Sequence, residues 1–203
     1  MTISTIATSP VSGTEHHQPR PGWWTRRQQE RRLRFRDQTS ARLAELNQIA
    51  YLLNYAADLV RAGWLQHRWF AYLDDSGQLR TANVDSAREV ADRPVVEVCL
   101  VGAIVQAAGG PSQLGTHTVR CAVELTWRTL FRPPSEMISR TPTPARTKHV
   151  PDLTRWNDHP GRTARDAEDL LRRSGAAAKS EAAHLRLETV GATPHASDAR
   201  SPA

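Results

Sequence analysis

The residues best suited to catalysis or ligand binding lie in one short element, residues 156–163, with the sequence WNDHPGRT. This element combines an amide, a carboxylate, an imidazole and a guanidinium within about one turn, directly before a predicted helix. Asp158 could act as a general base, with Asn157 and His159 beside it. Alternatively, Arg162 and the N-terminus of the helix could together bind an anion.

Turn chemistry alone also accounts for this element, and we favour that interpretation. Asn and Asp side chains fold back onto turn amides, Pro160-Gly161 forms the corner, and Thr163 caps the following helix. Trp156 is then the anchor of the turn, and we expect it to be largely buried against the helix that contains residues 99–106. We therefore favour a structural motif of Trp156, Gly161 and Thr163 over a catalytic site. The catalytic candidates are Asn157, Asp158 and His159.

A second candidate site is the segment of residues 20–36, which we call the basic arm. Its seven arginines and one acid, Glu30, sum to +6, which equals the formal charge of the whole protein. Arginines interleaved with aromatic rings suit nucleic acid, where guanidinium groups neutralise phosphates and rings stack on bases. Alternatively, the arm could bind an anionic membrane surface, or it could be a passive, solvated extension without a partner. The candidate nucleic-acid-binding residues are Trp23, Trp24, Arg26, Arg27, Arg31, Arg32, Arg34 and Arg36.

The arginine content has a second explanation. The chain contains 25 arginines and 2 lysines, and arginine's planar fork favours phosphate recognition. A GC-rich genome, however, enriches arginine and alanine codons throughout a sequence, and it explains more of this bias.

The sequence lacks the signatures of common enzyme classes, including phosphate-binding glycine loops, HExxH, CxxC and GxSxG. We expect no metal and no cofactor, because the histidines outside the predicted tails show no ligand spacing with either cysteine. These histidines are His67, His117, His149 and His159. Cys99 and Cys121 lie in apolar surroundings, and we expect both to be buried, reduced thiols.

A chain of 203 residues predicts one domain. We place it at residues 38–175, between a disordered tail of residues 1–37 and a mostly disordered tail of residues 176–203. No apolar run is long enough to span a bilayer, and the N-terminus does not resemble a secretory signal. We therefore expect a cytoplasmic protein.

The predicted fold is mainly α, with about four helices packed round a central apolar helix and a short β-hairpin. The first helix, 40–62, carries an apolar stripe at helical spacing, and the hairpin covers about residues 69–80. The central helix covers residues 94–108 and a third helix residues 115–131. A mobile loop at 132–151 and a last helix from Thr163, fraying near His184, complete the domain.

Three sequence elements resemble a known family. They are the pair Gly63-Trp64, the CLVGAI stretch at residues 99–104, and the W-N-D-x-P-G-R-T element at 156–163. Together they resemble a family of small proteins of high-GC Gram-positive bacteria and their phages, classed as a domain of unknown function. The resemblance covers about residues 42–175 and implies a shared helical fold. The basic arm and the 132–151 loop are expected to be additions to the family pattern.

The sequence thus favours a non-enzymatic binding or regulatory module, whose basic arm could contact nucleic acid. The competing hypothesis is a small enzyme with its site at the Asn157-Asp158 turn. An enzyme needs a pocket with convergent polar groups, whereas a binding module needs only a surface. No protein partner can be inferred from the residues.

Overall fold

A computed structural model describes residues 22–132 and 149–191 of the chain. The described residues form a mainly helical structure with a small antiparallel sheet, as the sequence predicts. The helices are α1 (Trp23–Ala62), α2 (Leu100–Ala107), α3 (His117–Phe131), α4 (His149–Asn157) and α5 (Ala164–Gly191). The strands are β1 (Phe70–Leu73), β2 (Leu79–Ala82) and β3 (Val95–Val98), and 3-10 helices cover Val84–Val90 and Pro111–Gln113.

The chain divides into two compact units, Met1–Gln38 and Thr39–Ala203. In the described part of the first unit, residues 23–38 belong to α1, and their described side chains are exposed. This helix departs from the expectation that residues 1–37 form a disordered tail. Residues 1–21, the greater part of the 132–151 loop and residues 192–203 lie outside the described ranges.

In the second unit, one face of α1 contributes to the hydrophobic core. The predicted stripe of apolar residues at steps of three and four is largely confirmed, because most of its members are at most 5% exposed. Leu43 is half-buried instead. The buried apolar residues of α1 are Leu46, Ile49, Ala50, Leu52, Leu53, Ala56, Ala57 and Val60.

The predicted hairpin is present, and a third strand extends it. The strand order is β2-β1-β3, with Phe70 paired to Ala82 on one side and to Val98 on the other. Asp74 stabilises the hairpin turn, because its Oδ1 accepts hydrogen bonds from the backbone amides of Ser76 and Gln78. Hydrogen bonds from the Ser76 hydroxyl and from Arg80, together with these backbone bonds, hold the pKa of Asp74 well below its ordinary value.

The prediction of a helix from residue 94 was wrong for its first turn. Residues 95–98 form β3, and α2 begins only at Leu100, after Cys99. A short apolar run does not distinguish a buried strand from a buried helix. The three valines of β3 favour the strand, since β-branched side chains pack well on a pleated surface, and the free edge of β1 supplies the hydrogen-bond partners.

Helix α2 is the most buried helix of the described chain, as predicted for the central element. Residues 100–105 are all buried. A Cβ atom on Gly102 would lie 2.2 Å from the carbonyl oxygen of Trp69, so glycine allows α2 to lie directly on the end of β1. The close neighbour of α2 at Gly102 is therefore the residue that precedes β1.

Helices α3 and α4 pack against α2. Helix α3 begins and ends close to the predicted bounds, and it packs against α5. Helix α4 was not predicted. Helix α5 begins after Thr163 as expected but continues to Gly191, and Ala178 and Ala182 are buried. The prediction that residues 176–203 are mostly disordered is therefore wrong up to residue 191.

Among residues 22–132 and 149–191, none of the helices combines the length and the apolar composition that crossing a bilayer requires.

Candidate functional site

Asn157 is the centre of a hydrogen-bond network that joins three separate segments of the domain. Its side chain is fully buried. Oδ1 accepts hydrogen bonds from Trp64 Nε1 at 2.9 Å and from the backbone amide of Leu100 at 3.1 Å. Nδ2 donates to the carbonyl of Leu65 at 3.2 Å and to Asp158 Oδ1 at 2.9 Å. These four bonds use the full capacity of an asparagine amide with one bond to each hydrogen and lone pair.

Asp158 and its neighbours strengthen the same junction. Asp158 Oδ1 also accepts a hydrogen bond from the backbone amide of His67 at 2.8 Å. Gln66 Nε2 donates to the carbonyls of Asn157 and His159, at 2.8 and 3.0 Å. His67 itself has a positive φ of 66° and an exposed imidazole. The polar groups of the Asn157-Asp158 turn are thus directed at the 64–67 loop and the start of α2.

Trp156 packs against the hydrophobic core but is only partly buried, while the neighbouring Asn157 is the fully buried residue of the motif. The Arg162 guanidinium lies over the Trp156 ring, 4.6 Å from the ring centroid, in cation–π geometry. Both side chains line an open groove of about 530 Å³ between α3 and α5, together with Asp166, Asp169 and Arg172.

Thr163 caps α5 as predicted, in a reciprocal arrangement with Asp166. The amide of Thr163 donates to Asp166 Oδ2 at 2.9 Å, and the amide of Asp166 donates to Thr163 Oγ1 at 3.3 Å. The bonds from Thr163 lower the pKa of Asp166. At the corner of the turn, the Gly161 amide donates to Nδ1 of His159, whose side chain is exposed.

The model of DUF6197, a family of unknown function, matches residues 44–179, about two thirds of the chain. The chain belongs to the DUF6197 family. No curated protein and no solved structure matches it. The range matched to DUF6197 contains the whole Asn157 network, Gly63 and Gly102.

The basic arm, residues 20–36, lies outside the range matched to DUF6197, whereas the 132–151 loop lies inside it. The described arginines of the arm are exposed side chains of α1. Trp23 and Trp24 are 53% and 67% exposed, and their ring centroids lie 3.9 Å apart. The Arg27 guanidinium lies 5.8 Å from the Trp23 ring centroid. The arm therefore presents aromatic and cationic groups side by side on an open surface.

The cysteines of this DUF6197 protein differ in their surroundings, and neither forms a disulfide. Cys99 is buried as predicted, and burial raises the pKa of its thiol to about 12. Cys121 is half-buried, which corrects the prediction of full burial. Burial, followed by the nearby Glu45 carboxylate, raises the pKa of Cys121 to about 11.

Cys121 belongs to a side-chain cluster that the sequence analysis missed. His117 Nε2 lies 2.7 Å from Glu45 Oε1, and Cys121 Sγ lies 3.5 Å from each of these two atoms. Of the other histidines considered as ligands, His149 is buried and stacks on Trp127. The only signal available in the sequence was the spacing of four between His117 and Cys121, which places both on one face of a helix.

Proposed function

We propose that this DUF6197 protein is a non-enzymatic binding or regulatory module that contacts nucleic acid through its basic arm. The proposal rests chiefly on the position of the exposed arm side chains on helix α1. Trp23, Arg27, Arg31 and Arg34 follow one another at steps of four, four and three residues, so they share one helix face. We call these residues, with Trp24 beside them, the aromatic–arginine face.

The dimensions of this face suit a nucleic-acid strand. With a rise of 1.5 Å per residue, Arg27 to Arg34 spans about 10 Å, which is the axial length of about three nucleotides in one DNA strand. The two exposed tryptophan rings at one end supply stacking surfaces. Phosphate neutralisation by arginine and base stacking by tryptophan can therefore act on the same strand.

The contacts of the Asn157-Asp158 turn support a binding module over an enzyme with its site there. The side chain of Asn157 is fully occupied by hydrogen bonds inside the fold. Asp158 Oδ1 accepts one of these bonds and a further one from the His67 amide. A catalytic base needs a lone pair directed at a substrate. A cytoplasmic location and an origin in high-GC Gram-positive bacteria or their phages remain part of the same proposal.

Two triple variants with equal charge loss test the aromatic–arginine face. The face variant replaces Arg27, Arg31 and Arg34 by Gln, and the matched control replaces Arg26, Arg32 and Arg36, which point to other sides of α1. Binding of single-stranded DNA and RNA is measured by fluorescence anisotropy at several salt concentrations. We expect the face variant to lose at least tenfold in affinity and about 2 in log–log salt slope, since each lost phosphate contact removes about 0.7–0.9.

The control variant should retain most of its affinity, and a chain that begins at Asp37 should lose binding altogether. Equal losses in both triple variants would show that general charge, and not a defined face, drives the association. Absence of binding by the full chain, or binding that survives the truncation, would refute the role of the arm. Stronger binding to anionic lipid vesicles than to nucleic acid would support the membrane alternative.

A further inference from the structure

Glu45, His117 and Cys121 offer three donor atoms that converge on one point of the second unit. Glu45 comes from α1, and the other two lie one turn apart at the start of α3. The donor atoms are Glu45 Oε1, His117 Nε2 and Cys121 Sγ, all within 4.8 Å of one another. We propose that this cluster binds a divalent transition metal ion, most favourably zinc.

The separations of the donors approach those of a tetrahedral site. With zinc bonds of about 2.0–2.1 Å to nitrogen and 2.3 Å to sulfur, tetrahedral angles place these two donors about 3.6 Å apart. The observed distances from Cys121 Sγ to His117 Nε2 and to Glu45 Oε1 are both 3.5 Å. The remaining edge, 2.7 Å between nitrogen and oxygen, must open by about 0.7 Å to reach its tetrahedral length.

The types of donor select the metal. Zinc takes nitrogen, sulfur and carboxylate oxygen ligands, whereas calcium and magnesium take oxygen ligands alone. Three protein ligands leave a fourth tetrahedral position for water or another small ligand. The His117 side chain is 67% exposed, so the solvent can supply that ligand.

The surroundings of the cluster favour a cation and orient its carboxylate. Glu45 Oε2 forms an ion pair with Arg42 Nη1 at 2.9 Å, which leaves Oε1 directed at the cluster. Arg42 is balanced in turn by Glu181, at 2.7 Å. The carboxylate of Glu124 also acts electrostatically on Cys121. The carboxylates of Glu45 and Glu181 against the Arg42 guanidinium give this ion-paired group a net negative charge that a divalent ion would reduce.

The geometry argues against a nucleophilic relay built from the same residues. In a relay, the imidazole uses its two nitrogens for two different partners, one for the nucleophile and one for the carboxylate. Here both the carboxylate and the thiol lie closest to the same nitrogen, Nε2, while Sγ is 3.9 Å from Nδ1. Because the carboxylate and the thiol both lie near Nε2, the three donor atoms can bind one metal ion together.

Metal binding would displace the thiol proton of Cys121 and place the imidazole proton of His117 on Nδ1. The S–H bond of Cys121 breaks, its proton passes to the solvent, and the thiolate lone pair forms the sulfur–metal bond. His117 binds through the lone pair of Nε2 and carries its proton on Nδ1. The hydrogen bond between His117 and Glu45 is replaced by two bonds to the metal.

Cobalt titration of the full-length protein tests the site. Co²⁺ occupies zinc sites and reports thiolate ligation through a thiolate-to-cobalt charge-transfer band. We expect one Co²⁺ per chain with this band, and its displacement by Zn²⁺. Cys121→Ser should abolish the charge-transfer band. Each of the three variants, Cys121→Ser, His117→Gln and Glu45→Gln, should weaken Co²⁺ binding about tenfold or more, since even the loss of a residue that only hydrogen-bonds to a metal ligand costs about 10–100-fold in affinity.

Two control variants keep the test specific. His184→Gln alters an exposed histidine that also lies four residues from a carboxylate, with Nε2 3.8 Å from Glu188 Oε1, but without a thiol. A double variant, His16→Gln with His17→Gln, removes the adjacent histidine pair of the sequence. Both controls should bind Co²⁺ as the unaltered protein does.

A measurement without variants guards against misfolding. Zn²⁺ should slow alkylation of Cys121 in the native protein at least tenfold, as followed by mass spectrometry of the modified peptide. The proposal is overturned if the native protein binds no Co²⁺ at micromolar concentration, or if the charge-transfer band persists in Cys121→Ser. Unchanged affinity in Glu45→Gln would equally overturn a three-ligand site.

Discussion

Replacement of Asn157 by alanine is the perturbation with the clearest structural consequence. The substitution removes a fully buried amide and leaves three groups without their partner: the Leu100 amide, the Trp64 indole N–H and the Leu65 carbonyl. Leu100 is buried, and the other two residues are half-buried. Asp158 loses one hydrogen bond but keeps the one from the His67 amide.

The size of the effect follows from these orphaned groups. A buried donor or acceptor without a partner costs about 1–3 kcal/mol. With the half-buried groups near the lower limit, Asn157→Ala should lower the free energy of unfolding by about 3–5 kcal/mol. Since small domains are stable by only about 5–15 kcal/mol, the variant should be close to unfolding at ambient temperature, with a melting temperature lower by about 10–20 °C.

Gln66→Ala is a matched control at the same junction. Gln66 also donates two hydrogen bonds across it, to the carbonyls of Asn157 and His159, but from a less buried position. Its loss should cost about 1 kcal/mol. The assay is urea unfolding followed by tryptophan fluorescence and circular dichroism. If Asn157→Ala is destabilised no more than Gln66→Ala, the structural role assigned to Asn157 is wrong, and a catalytic role becomes the better explanation.

Two other predictions concern the stability of the sheet and of α2. Gly102→Ala should destabilise the protein by about 3 kcal/mol or more in the same assay, because the new methyl group would overlap the Trp69 carbonyl. Gly115→Ala, where a Cβ meets nothing within 4 Å, should change stability by at most about 1 kcal/mol. Since the pKa of Asp74 is lowered by folding, its contribution is present above its ordinary value of 3.8 and is lost as the pH falls further. Asp74→Asn should therefore lose less stability than the unaltered protein in acid melting curves, and an equal loss would contradict the assigned hydrogen bonds.

The sequence predicted the elements whose large apolar residues repeat at helical spacing. The stripe of α1 and the apolar composition of α2 lead directly to buried faces. The strand β3 was not predicted because its valines, interrupted only by Glu97, extend the apolar run of α2, and only the free edge of β1 decides between strand and helix. The last part of α5 was not predicted for another reason. Its buried residues are the small Ala178 and Ala182, whereas the prediction relied on large apolar side chains.

The candidate sites differ in how far the sequence could reveal them. The basic arm is contiguous, so composition alone identifies it. The cluster of Glu45, His117 and Cys121 joins residues 72 positions apart, and only the packing of α3 beside α1 creates it. Trp156 and Asn157 show a subtler limit, because a turn motif identifies both residues but not which of them enters the core. The larger, more apolar side chain was expected there, and the amide is buried because it alone can bond to four partners.

The CLVGAI stretch at 99–104 and the W-N-D residues at 156–158 serve the same physical need. Helix α2 is short and buried, so solvent cannot satisfy the backbone amides at its N-terminus. Those amides are satisfied from inside the fold: Cys99 donates to the Trp69 carbonyl, Leu100 to Asn157 Oδ1 and Gly102 to Cys99 Sγ. The residues of 99–104 and of the W-N-D element therefore form one hydrogen-bond network, which satisfies the amides at the buried N-terminus of α2. Since this network accounts for the motif without any ligand, the activity of the protein is better sought on its exposed polar surfaces, at the aromatic–arginine face and at the Glu45, His117 and Cys121 cluster.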